Sequence, residues 1–315
     1  MKGKYRVIVQ NKRIRYDFEI RRNLTIIKGD SATGKTVLID LIREYYQNGL
    51  DSGVELSCEK ECIVLEGRNW QILLGTIRDS IVFIDEGNDF VSSKEFAAAI
   101  QKSDNYYVIV TRESLPTLPY SIEEIYGIRD SGKYGTLKRT YNEFYHLYGR
   151  QEFGNTVVPE VVLTEDSNSG FQFFHNLCDK KEIECISANG KSNIFSMLLK
   201  QHTENVLIIA DGAAFGAEME RLMYLIKQKK GIGMYLPESF EWMILNAGVM
   251  DDKEVRAVLE NPQDYIESGE YFSWEQFFTH LLIEKTAGTY LKYSKRSLNP
   301  VYLHENISER IIEKK

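Results

Sequence analysis

Apolar and charged residues alternate through "MKGKYRVIVQNKRIRYDFEI", and a period of two predicts two half-buried strands. The next stretch, "NLTIIKGDSATGKTVLIDLIREYY", reads as a β-branched strand, a glycine-rich turn and an amphipathic helix. Two further apolar runs, "DSIVFIDEG" and "YYVIVTRES", have the length and composition of buried strands. Pro116 and Pro119 forbid regular helix after them, and "IEEIYGIRD" and "GTLKRTYNEFY" read as further strand. A domain boundary is expected near residue 150.

From Val157 the pattern changes to strand, helix, strand, helix, strand, helix, the alternation of a parallel sheet. Its segments are "VVPEVVLTED", "SNSGFQFFHNLCDKK", "IECISANGKSNIFSMLLKQH" and "VLIIADGAAFGAEMERLMYLIKQKK", the last with a helix starting soon after Asp211. Beyond Asp251, "DDKEVRAVLENPQDYI" and "SWEQFFTHLLIEKTAGTYLKYSKRSLN" have helical periodicity. The expected fold class is α/β: a sheet with N-terminal antiparallel strands over 1–152, a parallel α/β domain over 153–250, and a helical extension over 251–315.

The 315 residues suffice for two domains, and 43% hydrophobic with 27% charged residues is ordinary for a folded chain. A net charge of −7 argues against coating nucleic acid through bulk positive charge, but leaves a local basic groove open. Cys58, Cys62, Cys178 and Cys185 lack zinc-ligand spacing and read as reduced, buried thiols. The amino terminus lacks the continuous apolar run of a signal peptide, and no apolar stretch is long enough for a membrane span. A cytoplasmic location with no membrane partner is expected.

Gly29, Asp30, Ser31, Ala32, Thr33, Gly34, Lys35 and Thr36 meet the spacing GxxxxGK[ST] between a strand and a helix. Such glycines let backbone N–H groups surround phosphates, with the lysine on the β/γ oxygens and the threonine on magnesium. The expected ligands are therefore ATP and Mg²⁺. Asp85, at the end of its strand, is the candidate for holding magnesium, and Glu86 the candidate for positioning the attacking water. Thr111 and Arg112 close another strand, where Arg112 is either a γ-phosphate sensor or a surface ion pair.

In the second half, Glu165 and Asp211 stand at carboxyl ends of parallel strands, the rim where ligands bind in open α/β sheets. Asp211 reads either as a metal ligand or as the cap of the helix behind it. Lys191 is either a phosphate contact or an exposed turn lysine, and His175 reads as a packed helix residue. Phe272, Trp274, Phe277 and Phe278 suit a helix-packing face. Lys292, Lys295 and Arg296 would either bind a phosphate backbone or complement a helix terminus.

The two leading strands before the glycine turn resemble those of ABC-type ATPases, although no LSGGQ signature follows. The order of Glu165, the turn "NGKSN" at 189–193 and "DGAAFG" at 211–216 resembles a topoisomerase/primase (Toprim) domain, with Ala213 where the DxDxxG motif has its second aspartate. "YLPESFEWMIL" is similar to the acidic segment that follows this motif in nucleases of the overcoming-lysogenization-defect type, with Glu241 as the match and Glu238 as the alternative. The ATPase–Toprim order is that of those nucleases and of related phage-defence proteins. The resemblance implies a metal-dependent nuclease acting on nucleic acid, with Glu165, Asp211 and Glu241 as ligands of Mg²⁺ or Mn²⁺ and Asp166 as a substitute. Ala213 removes one carboxylate and makes a two-metal centre doubtful. The alternative it favours is a non-catalytic, ATP-dependent switch whose pseudo-nuclease domain binds a partner protein. A third reading, a small-molecule kinase, leaves the second half without a role. Either of the first two readings is compatible with an oligomer.

Overall fold

The computed structural model describes residues 1–29, 34–132, 139–148, 157–201, 203 and 205–313. The chain is mixed α/β and forms two compact units, 1–147 with 261–272, and 148–260 with 273–315. Among the described residues no helix is long and apolar enough to cross a membrane.

The first unit is built on a nine-stranded mixed sheet. The alternating amino terminus gives β1 (Tyr5–Gln10) and β2 (Ile14–Ile20), paired antiparallel with Val7 opposite Phe18. The core face of these strands carries Val7, Val9, Tyr16, Phe18 and Ile20, all buried, while Arg6 and Asp17 pair on the other face. Then come β3 (Leu24–Ile27), α1 (Lys35–Asn48), β4 (Glu55–Ser57), β5 (Cys62–Val64), α2 (Trp70–Thr76), β6 (Ile81–Ile84), α3 (Lys94–Ile100), β7 (Tyr106–Val110), β8 (Ile125–Asp130) and β9 (Thr140–His146).

The strand order is β4-β1-β2-β9-β8-β3-β7-β6-β5. β3 lies parallel to both β7 and β8, and β5, β6 and β7 are mutually parallel neighbours. β3, β6 and β7 are buried along their whole length, as expected of strands covered on both faces. α1 covers one face through Leu38, Ile39, Leu41 and Ile42, which join a core containing Phe83 and Val108. Of the strand expected from "GTLKRTYNEFY", residues 135–138 lie outside the described residues. The three-residue strands β4 and β5 and the short α2 were not anticipated, because such elements are too brief to show a period.

The second unit has a four-stranded sheet, all parallel, in the order β11-β10-β12-β13. In chain order its elements are β10 (Val161–Thr164), α4 (Ser169–Asp179), β11 (Glu184–Ser187), α5 (Lys191–Lys200), β12 (Val206–Ile209), α6 (Met219–Gln228), β13 (Ile232–Tyr235), α7 (Phe240–Asn246), α8 (Lys253–Glu260), α9 (Trp274–Thr286) and α10 (Glu305–Glu313). The chain leaves the central β10 for β11 on one side, then crosses back to β12 on the other. The neighbouring carboxyl ends of β10 and β12 are therefore a topological switch point, where the loops part and leave a crevice. Phe173 and Phe174 of α4 pack on Phe240 of α7, with ring centroids 5.1 and 5.9 Å apart. Trp274, Phe277 and Phe278 are buried on α9, in keeping with a packing face.

Two boundaries differ from expectation. Behind Asp211 the chain makes two 3-10 turns, Gly212–Ala214 and Gly216–Glu218, before α6 begins at Met219. The helix expected over "SWEQFFTHLLIEKTAGTYLKYSKRSLN" stops at Thr286, because Gly288 takes a φ of +76° and the Thr286 hydroxyl oxygen accepts the Tyr293 N–H at 2.9 Å. Lys292, Lys295 and Arg296 consequently lie on an irregular segment, not in the last turn of a helix. The four cysteines are free thiols, Cys62 and Cys178 buried, Cys58 and Cys185 half-buried.

Candidate functional site

In the first unit, the parallel strands β3, β6 and β7 end on the same edge of the sheet, carrying Gly29, Asp85–Glu86 and Thr111–Arg112 respectively. Gly29 and Gly34 have φ of +134° and +89°, the left-handed region that side chains avoid. Asp30, Ser31, Ala32 and Thr33 lie outside the described residues. A Cβ on Gly34 would stand 2.8 Å from the hydroxyl oxygen of Tyr16, and that hydroxyl donates to the Gly34 carbonyl at 2.7 Å. Glycine is thus required both for the turn and for its close approach to β2.

Lys35 begins α1 and is buried. Its ammonium turns back and donates to the Gly29 carbonyl at 2.7 Å, which places the charge at the carboxyl end of β3. Thr36 is exposed beside it. Asp85 is half-buried, and its Oδ1 accepts the Glu86 N–H at 2.8 Å. Burial raises the Asp85 pKa, with Asp40 and Glu86 adding to the rise and the Glu86 N–H and Arg43 opposing it. A carboxylate so placed favours a nearby cation. The side chain of Glu86 forms an ion pair with Arg112 at 2.6 Å. Arg112 is an ion-pair residue here, but its partner is the candidate catalytic acid itself. Thr111 is buried, and its hydroxyl donates to the Glu113 carbonyl at 3.3 Å.

In the second unit, Glu165 follows β10 and Asp211 follows β12, so the switch point brings them together. The Glu165 Oε2 accepts the Asp211 N–H at 3.2 Å. Burial pushes the Glu165 carboxyl up to about 7, against the pull of Lys191, with Glu275 and Asp166 adding to the rise. Asp211 is raised well above the usual carboxylate range by burial, then by Glu275, Glu165 and Glu241, with Lys295 opposing. Asp211 does not cap the turn behind it. Its Oδ1 instead accepts the Phe240 N–H at 3.1 Å, tying β12 to the first residue of α7.

Glu241, on α7, is buried. Its Oε1 accepts the Tyr293 hydroxyl at 2.7 Å, and its Oε2 is buried without a hydrogen-bond partner. Glu238 is half-buried, and its carbonyl accepts the Ala213 N–H at 3.2 Å. The oxygens of Asp166, the expected substitute ligand, accept the N–H groups of Ser167, Asn168 and Gly170 at 2.7, 2.9 and 2.8 Å, capping α4. Lys191 is half-buried; burial lowers its pKa, opposed by Glu165, and its ammonium donates to the Ala214 carbonyl at 2.6 Å. His175 is partly exposed, with Nδ1 3.1 Å from Asp179 one helical turn on.

Two members of this centre were not placed in it from the sequence: Glu275 carried no signal, and Lys295 read only as a phosphate-backbone or helix-terminus contact. Glu275 lies in the first turn of α9, among the aromatic residues that fixed the reading of that helix as core. Lys295, from the segment after α9, donates to Glu275 Oε1 at 2.7 Å and stands 3.8 Å from Glu241 Oε1. Burial disfavours the Lys295 ammonium, but Glu241 and Glu275 outweigh it and raise its pKa. Among the described residues no group of three or more His, Cys, Asp or Glu side chains stands in a metal-holding arrangement. No protein-family model matches this chain, and no curated protein matches it either.

Proposed function

We propose that the first unit binds and hydrolyses ATP. The observation that carries this reading is the gathering on one sheet edge of Gly29 with the Lys35 ammonium on its carbonyl, the acids Asp85 and Glu86, and Arg112. In this reading the Lys35 ammonium leaves the Gly29 carbonyl for the β/γ oxygens of the nucleotide. Thr36 and Asp85 hold magnesium, which supplies charge neutralisation at the phosphates. Glu86 orients the attacking water, and Arg112 leaves Glu86 to contact the γ-phosphate. Phosphate release by the purified chain tests this: the wild type should turn over ATP, and Glu86→Gln should retain ATP while turnover falls. Equal turnover in the two proteins would remove Glu86 from the mechanism.

For the second unit we propose a Toprim-like domain, resembling the nuclease half of overcoming-lysogenization-defect type proteins. Its support is the all-parallel sheet with Glu165 and Asp211 meeting at the switch point. The donor set fits a metal poorly. Asp211 and Glu241 each give one oxygen to a protein donor, Asp166 gives both, Ala213 gives none, and an ammonium stands among the acids. Such a donor set supports no metal-assisted cleavage step. These observations favour the second reading, an ATP-dependent switch whose pseudo-nuclease domain engages a partner protein. Cleavage of plasmid or single-stranded DNA with Mg²⁺ or Mn²⁺ would restore the nuclease reading.

A further inference from the structure

Resting on the Toprim-like reading of the second unit, we propose that Lys295 is the resident cation of its acidic centre. The ammonium stands where a divalent ion would otherwise be needed, and the centre is charge-compensated without metal.

Four carboxylates converge here from four elements: Glu165 after β10, Asp211 after β12, Glu241 on α7 and Glu275 on α9. Asp166 also borders the centre, but its charge is spent on three backbone N–H groups of the α4 cap. Two ammonium groups face the acids. Lys191 approaches from the start of α5 and is anchored on the Ala214 carbonyl; Lys295 touches the acids directly, 2.7 Å from Glu275 and 3.8 Å from Glu241.

Glu241 makes the case specific. Only 1% of it is exposed, one oxygen is held by the Tyr293 hydroxyl and the other has no hydrogen-bond partner. A buried carboxylate left so incompletely bonded needs compensating charge close by, and Lys295 supplies it 3.8 Å from Oε1, the oxygen that Tyr293 also bonds, while Oε2 stays without a hydrogen bond.

The delivery is built in. The Lys295 carbonyl accepts the Ser169 N–H at 3.0 Å, and Gln172 of α4 bonds the Arg296 carbonyl at 3.3 Å and the Leu298 N–H at 2.9 Å. The Tyr293 hydroxyl, 2.5 Å from that of Ser169, fixes the same segment against Glu241. A lysine that only screened surface charge would not be tied to α4 on both sides. A hard divalent cation prefers several oxygen ligands, and here it would have to displace an ammonium that already neutralises two of them. Ala213, 2% exposed where a further carboxylate would add to the demand for charge, agrees with a centre compensated by ammonium groups alone.

The test uses the full chain in an Asp85→Asn background, without nucleotide, so that the carboxylate proposed to hold magnesium in the first unit is removed. Mn²⁺ binding is read by electron paramagnetic resonance and by the change in Tm, for the Lys295 parent, Lys295→Arg and Lys295→Met. The parent and Lys295→Arg should bind no Mn²⁺ in the centre, with Tm indifferent to the ion. Lys295→Met should lower Tm by about 2–4 °C, and should gain one Mn²⁺ with affinity raised about tenfold or more, Tm recovering as the ion binds. Mn²⁺ bound by the parent and lost in Asp211→Asn would overturn the inference while leaving a metal-dependent nuclease standing. A folded Lys295→Met protein that gains no Mn²⁺ would overturn both the inference and the reading of this crevice as an inherited metal site. Should Lys295→Met not fold, the parent's Mn²⁺ spectrum and Lys295→Gln, whose amide still donates to Glu275, give the same decision.

Discussion

Replacing Gly34 by alanine perturbs the glycine turn where two costs add. The φ of +89° costs an L-residue about 1–2 kcal/mol. The new Cβ would also lie 2.8 Å from the Tyr16 hydroxyl oxygen and 3.2 Å from Asn142 Nδ2. Tyr16 is fully buried and its ring is rigid, so it has no space to move into, and overpacking of this kind costs about 1–3 kcal/mol. Gly34→Ala should therefore destabilise the first unit by about 2–5 kcal/mol. Tyr16→Phe alone removes the hydroxyl's bond to the Gly34 carbonyl and should cost about 1 kcal/mol. In the double variant the hydroxyl that the Cβ strikes is gone, and mainly backbone strain remains. The double variant should then be more stable than the sum of the single effects by about 1–2 kcal/mol. Native-state hydrogen exchange of the α1 amides in the four proteins measures each term for this unit alone. Additive effects, within about 0.5 kcal/mol, would refute the contact between the turn and β2.

Asp211→Asn should leave stability unchanged or raised at neutral pH, because an amide oxygen still accepts the Phe240 N–H and the repulsion from Glu275, Glu165 and Glu241 ends; Asp211→Ala strands that N–H and should cost about 1 kcal/mol in thermal unfolding. The Glu165 carboxyl, raised by burial from 4.5 to about 7, holds a proton in the folded chain that the unfolded chain has already released. Its contribution is complete below pH 4.5 and lost as pH rises through about 7, a fall of roughly 1–3 kcal/mol that Glu165→Gln should flatten in pH-dependent denaturation. Arg112→Ala should free Glu86 yet lower ATP turnover, since the same side chain is assigned to the γ-phosphate; turnover unchanged would make the pair a surface contact only.

What the sequence made legible was local. The succession of buried strand, glycine turn and helix around Gly29–Lys35, and the parallel sheet of the second unit, follow from periodicity and from residues next to one another in the chain. The partners of the acidic centre are remote. Asp211 bonds the backbone of residue 240, Glu241 the hydroxyl of Tyr293, and Glu275 the ammonium of Lys295. None of these pairings leaves a spacing signal, because tertiary packing of α7, α9 and the segment after it creates them. Asp166 misleads for the opposite reason: an acid at a strand end suits a metal and a helix start equally, and only its three N–H donors decide. Local propensity also hid the end of α9, where Gly288 and the Thr286 hydroxyl outweigh a sequence that could have continued as helix.

Calorimetric titration of Mg²⁺-ATP into the wild type and Lys35→Ala tests the proposed ATP site around Lys35. The account predicts saturable binding of one nucleotide per chain in the wild type and none in the variant, with hydrogen exchange showing both folded. No binding by the wild type, or equal affinity in the two proteins, would contradict it.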